Sequence, residues 1–123
     1  MPKPGRTGLR RLVDATRYSA QGFRAAWRNE SAFRQETTLA LILVPFAFLL
    51  GDTRAQVALL LLTLGLVLIT ELLNSAIEAI VDQASPEMNE LAGRAKDMGS
   101  AAVFVSLTTV VVVWTLVAIG RFG

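Results

Sequence analysis

The spacing of hydrophobic and polar positions changes along this chain of 123 residues. Near the N-terminus, apolar groups recur with a helical period. Leu9, Val13, Thr16, Ala20, Phe23 and Trp27 share one side, while Arg10, Asp14, Arg17, Gln21, Arg24 and Arg28 fall largely on the other. That pattern predicts a basic amphipathic helix over about 9–30, lying on a membrane surface. Further on, the alternation gives way to two runs without charge, Ala55–Thr70 and Gly99–Gly120. Each can cross a hydrocarbon core, which takes roughly 17–25 apolar residues. The shorter run Thr37–Gly51 holds Pro45, which membrane helices tolerate, and beside two clear spans it reads as a third.

The expected fold is therefore all-α and integral to a membrane. It is a single domain over 1–123, with an N-terminal amphipathic surface helix and three transmembrane helices over about 34–51, 55–81 and 86–120. Met1–Gly8, with two prolines and two glycines, reads as a flexible start. Gly51–Arg54 is a short external turn and Asp82–Ser85 a cytoplasmic one. Ser85-Pro86-Glu87 reads as the start of the last helix, with Ser85 as N-cap and Pro86 in the first position.

Composition narrows the chemistry. Cysteine and histidine are both absent, so disulfides are excluded and a zinc or other soft-metal site is disfavoured. Any metal must be held by oxygen, which favours magnesium or calcium. Net charge is only +2, but its placement is uneven. Eight of the 12 basic residues precede the first span: Lys3, Arg6, Arg10, Arg11, Arg17, Arg24, Arg28 and Arg34. Arg94 and Lys96 lie between the second and third spans, and Arg54 and Arg121 on the other side. The excess of basic residues places the N-terminus and the second loop in the cytoplasm. The first 36 residues lack the apolar segment of a signal peptide. With its basic groups set beside apolar spans, the chain is expected to have no nucleic-acid partner.

Candidate chemistry concentrates in the stretch from Glu71 to Asp82. Glu71, Asn74, Glu78 and Asp82 fall within roughly 80° of one another at about 100° per residue, forming one polar stripe on an apolar helix. Counted from Ala55 at ~1.5 Å per residue, Glu71 lies about 24 Å along the axis, and Glu78 about 34 Å. The stripe thus runs from the cytoplasmic edge of the ~30 Å core into the cytosol. An acid in hydrocarbon is costly, which marks Glu71 as functional. Lys96 and Asp97 precede Gly99-Ser100-Ala101-Ala102, whose small side chains suit close helix packing. Several carboxylates with a lysine point to magnesium-assisted phosphoryl transfer between a membrane lipid and a water-soluble donor. No Gly-x-x-x-x-Gly-Lys-Ser/Thr loop is present. A small ion-coupled transporter would also use an intramembrane acid, but it would not need carboxylates leading into the cytosol with a basic cap.

The blocks Arg24-Ala25-Ala26-Trp27, Asn29-Glu30, Ala32-Phe33-Arg34-Gln35-Glu36, Glu71 to Ala79 and Gly93 to Val103 carry a resemblance to the prokaryotic membrane diacylglycerol kinases. The resemblance extends from about Gly8 to the C-terminus. It implies a homotrimer in the bacterial cytoplasmic (inner) membrane, transferring the γ-phosphate of ATP to diacylglycerol to give phosphatidic acid, with Mg2+ as cofactor. By position it makes Glu71 the general base and Glu30 and Glu78 the metal ligands. Asn74, Lys96 and Asp97 organise the site. Arg11, Tyr18, Glu30, Glu78, Glu87, Met88, Asn89, Lys96 and Asp97 contact nucleotide. Arg24, Trp27, Gln35, Glu36, Glu71 and Ser100 lie near the lipid. Asn89 stands where the family pattern has a histidine, and Val57 where it has a basic residue. A sister branch that phosphorylates undecaprenol shares the Asn-Glu and Asn-x-Ala-Ile-Glu elements; Met98-Gly99-Ser100 resembles the diacylglycerol branch.

Overall fold

A computed structural model describes residues 7–87 and 89–123. Most of the flexible start expected over Met1–Gly8, and Met88, lie outside these residues. Four helices follow one another: α1 (Leu9–Asn29), α2 (Ser31–Leu50), α3 (Arg54–Ala84) and α4 (Glu90–Phe122). The expected all-α membrane architecture is the observed one, since α2, α3 and α4 are each long and apolar enough to cross a membrane.

α3 is the central helix. In its most apolar stretch 28% of residues are buried, against 17% in α2 and 11% in α4. Ala47, Leu60 and Val117 form a small core in the half of the bundle nearer the α2–α3 turn, packed by Leu50, Leu61, Val113 and Trp114. Many large apolar side chains, among them Phe48, Leu49, Phe104 and Val111, face outward. Such a surface suits a solvent of lipid chains. Because hydrocarbon gives no hydrophobic drive between helices, packing and hydrogen bonds must hold α3 to α4. Trp114 Nε1 donates to Thr63 Oγ1 at 3.0 Å, and the hydroxyls of Thr70 and Ser106 meet at 2.9 Å. The Pro45 ring removes one backbone donor from α2 without ending it.

Sequence chemistry explains the breaks. At the start of α3 Thr53 caps the helix by accepting from the Gln56 N–H at 3.2 Å, and Gln56 Oε1 reaches back to the Asp52 N–H at 2.7 Å. This is the reciprocal logic of a capping box. Arg121 donates to Asp52, tying the end of α4 to the same turn. At its other end, α3 runs to Ala84, through most of the stretch expected to be a turn. It stops where Pro86 bars helical geometry from the residue before it, and Ser85 lies at φ −138°, ψ 77°. Ser85 is thus the C-cap of α3 and does not open α4. The N-cap of α4 is Asn89, whose Oδ1 accepts from the Ala92 N–H at 2.9 Å. Its amide Nδ2 also donates to Ser85 Oγ at 2.7 Å. The last helix therefore begins at Glu90, four residues later than Pro86.

Candidate functional site

The polar stripe of α3 divides between its neighbours. Glu71 is buried, with 5% of its surface exposed, and no hydrogen bond or ion pair reaches its carboxylate among the described residues. The carboxylates of Glu36, Glu78 and Glu30 are near enough to act on it through space. An acid buried in this way without a partner is expensive.

One turn and more further along, the stripe opens into a cleft of about 630 Å³ between α1 and α3. Glu30 and Asn29 line one wall; Glu78 and Asp82 line the other, with Ser75, Ala76 and Ala79 between them. Glu30 reaches the cleft because it interrupts the chain: it closes α1 and opens α2 with extended backbone, φ −120°, ψ 106°. Its carboxylate makes no capping bond there. Gly22, Ala25 and Asn29 complete the α1 wall. Arg11 and Tyr18 continue the same face, within roughly 60° of those residues at about 100° per residue. The five residues stretch over ~27 Å of helix, long enough to follow an extended cosubstrate. Tyr18 is half-buried, and the Arg17 guanidinium lies 5.3 Å from its ring centroid.

Two facing carboxylates fit magnesium, which takes one or two protein oxygens and completes its shell with phosphate and water. Among the described residues no group of three or more acidic side chains forms a closed metal cage. The donor set thus suits an ion shared with a phosphate ligand.

Asn74 turns toward α4. A Cβ at Gly99 would meet its Oδ1 and lie 3.3 Å from its Cγ, so Gly99 is what lets the helices close here. The Asn74 Oδ1 is buried and has no hydrogen-bond partner among the described residues. Three residues earlier on α4, Lys96 Nζ pairs with Asp82 Oδ1 at 2.7 Å, which brings a cation to the rim of the cleft. The Asp82 side chain is 65% exposed, so the pair is held weakly. Asp97 is exposed and outside the cleft lining, and no ion pair reaches it among the described residues. Glu87 and Asn89 lie exposed in the α3–α4 connection, beyond the cleft lining, and Met88 lies outside the described residues. Within the chain, the amide of Asn89 is already engaged at both ends.

On the other side of α1 a second, apolar groove of about 520 Å³ is lined by Phe23, Arg24, Trp27, Arg28, Phe33, Thr37 and Leu68. It brings together Arg24 and Trp27 of the expected lipid set. Leu68 lies one turn before Glu71 on α3, so the groove leads toward the buried acid. Glu36 is half-buried nearby in sequence, whereas Gln35 and Ser100 are exposed and line neither hollow. Sequence reasoning missed Thr37, whose Oγ1 is buried in this groove wall without a hydrogen-bond partner among the described residues. It also missed the burial of Asp14 at 3% exposure, because helical spacing put Asp14 with the solvated arginines.

Residues 17–118 match the family described as prokaryotic diacylglycerol kinase. The diacylglycerol kinase of Pseudomonas aeruginosa is 52% identical over 119 residues, covering 97% of each chain. That of Haemophilus influenzae is 50% identical over 108 residues, 88% of this chain and 92% of the relative. That of Escherichia coli K12 is 47% identical over 117 residues, 95% and 96% of the two chains.

Proposed function

The chain belongs to the prokaryotic diacylglycerol kinase family, and from that premise we propose how its residues phosphorylate the lipid. The enzyme transfers a phosphoryl group to diacylglycerol. The donor is ATP, bound from the cytoplasm in the cleft between α1 and α3, and the product is phosphatidic acid. The observation that carries this reading is the meeting of Glu30 and Glu78 on opposite walls of one cleft, with the buried Glu71 beside it at the lipid boundary.

Glu71 receives the proton of the lipid hydroxyl at a carboxylate oxygen as that hydroxyl oxygen bonds to the γ-phosphorus. The bond from that phosphorus to the bridging oxygen breaks, and ADP leaves. Burial keeps water from competing with the lipid for the same phosphorus. Glu30 and Glu78 would hold Mg2+, which supplies positive charge to the donor's phosphate oxygens. Lys96 reaches the phosphates from the cleft rim when it leaves Asp82. Arg11 and Tyr18 lie along the cleft axis for the rest of the nucleotide. Arg24 and Trp27 flank the groove for the acyl chains, and Asn74 holds α3 against α4. Three subunits assemble in the bacterial inner membrane, with the N-terminus inside.

The test is direct. Purified protein in lipid vesicles would receive γ-labelled ATP with either diacylglycerol or undecaprenol. Label in phosphatidic acid, with little in undecaprenyl phosphate, is expected. Label confined to undecaprenyl phosphate, or found in neither lipid, would overturn the reading; neither a sister-branch enzyme nor a transporter would label phosphatidic acid.

A further inference from the structure

The two acids that face each other across the cleft belong to different kinds of backbone. Glu78 is fixed within the long, central α3. Glu30 stands at a break, where one extended residue joins α1 to α2. A single non-helical residue leaves two soft torsions, so the tilt of α1 and the place of Glu30 need another restraint. Such a restraint is present. The guanidinium of Arg34, in the first turn of α2, reaches back across the break. Its Nη1 donates to the carbonyl of Trp27 at 2.7 Å and lies 3.3 Å from the carbonyl of Arg28. These are among the last carbonyls of α1, which lack partners within their own helix and carry the negative end of its dipole. The Phe23 and Phe33 rings, with centroids 6.4 Å apart, brace the same corner. Arg34 has no other assigned part in the site.

We infer that Arg34 is a positioning residue, a cross-helix cap that sets the angle between α1 and α2 and thereby holds Glu30 opposite Glu78. Both carbonyls are met by the one nitrogen Nη1; a lysine keeps the charge on a differently shaped, more flexible head and replaces the guanidinium only in part. The inference rests on the kinase reading for its consequence in catalysis, but not for the geometry.

The experiment separates the two. The chain has no cysteine, so spin labels go onto Ser19→Cys of α1 and Gln83→Cys of α3, both exposed. Labelled protein is diluted with unlabelled protein in vesicles, and the distance distribution is read. Wild type should give a narrow distribution. Arg34→Gln should widen it, and Arg34→Lys should fall between. In parallel, Arg34→Gln should raise the KM for ATP about tenfold, the loss expected of one charge-assisted hydrogen bond, while kcat at saturating ATP stays within about threefold. An unchanged distribution in Arg34→Gln overturns the inference, as does a fall in kcat with KM unchanged. Should Arg34→Gln fail to assemble, Arg34→Lys decides: intermediate width and KM support the cap, and wild-type values of both refute it. If wild type proves not to be a kinase, the distance arm still tests the cap.

Discussion

Gly99→Ala probes the contact that holds α4 against α3 beside the site. The added methyl would fall against Asn74 Oδ1, 3.3 Å from its Cγ and 3.8 Å from its Cα. Two responses are open. The amide can leave its rotamer, at about 0.5–1.5 kcal/mol for a shift of ~30°. Alternatively the helices can part, and overpacking of this kind typically costs about 1–3 kcal/mol. Either response acts one turn from Lys96, whose ammonium now meets Asp82 at 2.7 Å. A displacement of ~1 Å at a phosphate-binding group is enough to cost about 10²-fold in rate. Gly65→Ala is the control: it lies inside α3, the helix that faces Gly99 of α4, and a Cβ there meets nothing within 4 Å. The assay is a denaturant titration in mixed micelles together with kcat. Gly99→Ala should lose about 1–3 kcal/mol of stability and most of its activity, and Gly65→Ala should be neutral or slightly stabilised. Equal stability and equal kcat for the two variants would refute the close approach of α3 and α4 at Asn74.

Glu78→Gln removes one wall of the proposed ion site, so its magnesium requirement should rise with a loss of kcat; a magnesium titration identical to that of wild type would reject the role. A reporter active only in the cytoplasm should work when fused before Thr37 and fail after Phe122, since the basic residues cluster on one side. The exposure of Asp97, away from the cleft of its own chain, leads us to expect it to serve a neighbouring subunit's site. Glu71→Gln and Asp97→Asn proteins, each inactive, should then regain about a quarter of wild-type activity when unfolded, mixed equally and reassembled into a ring. Background activity after verified reassembly would refute sharing.

Much of this was legible in the sequence because membrane helices announce themselves by length and charge. The runs at Ala55–Thr70 and Gly99–Gly120 could belong only to α3 and α4, and the 3.6-residue period grouped the acids of α3. Helix boundaries were less legible. Ser85-Pro86-Glu87 satisfies the rules for a helix start, yet the same proline ends α3, and Asn89 with Ala92 supplies the better cap four residues on. Neighbouring faces were invisible to periodicity. One stripe held Asn74, Glu78 and Asp82, but Asn74 packs on α4 while the two acids open onto α1. The meeting of Glu30 with Glu78 needed the bend at Glu30, which no glycine or proline marks. The hydrogen bonds of Thr63 with Trp114 and Thr70 with Ser106 lie between helices far apart in sequence, where local pattern carries no information.

The central claim is that a buried acid at the lipid boundary takes the proton while acids in the adjoining cleft serve the phosphate donor. Glu71→Gln keeps the shape of the side chain and removes its basicity, and general base catalysis typically contributes about 10²–10⁴-fold. The measurement is kcat for diacylglycerol phosphorylation by Glu71→Gln across a magnesium titration. The account predicts a fall in kcat of that order with the half-saturating magnesium concentration unchanged. A variant that keeps wild-type kcat, or one whose loss is restored by raising magnesium, would contradict it.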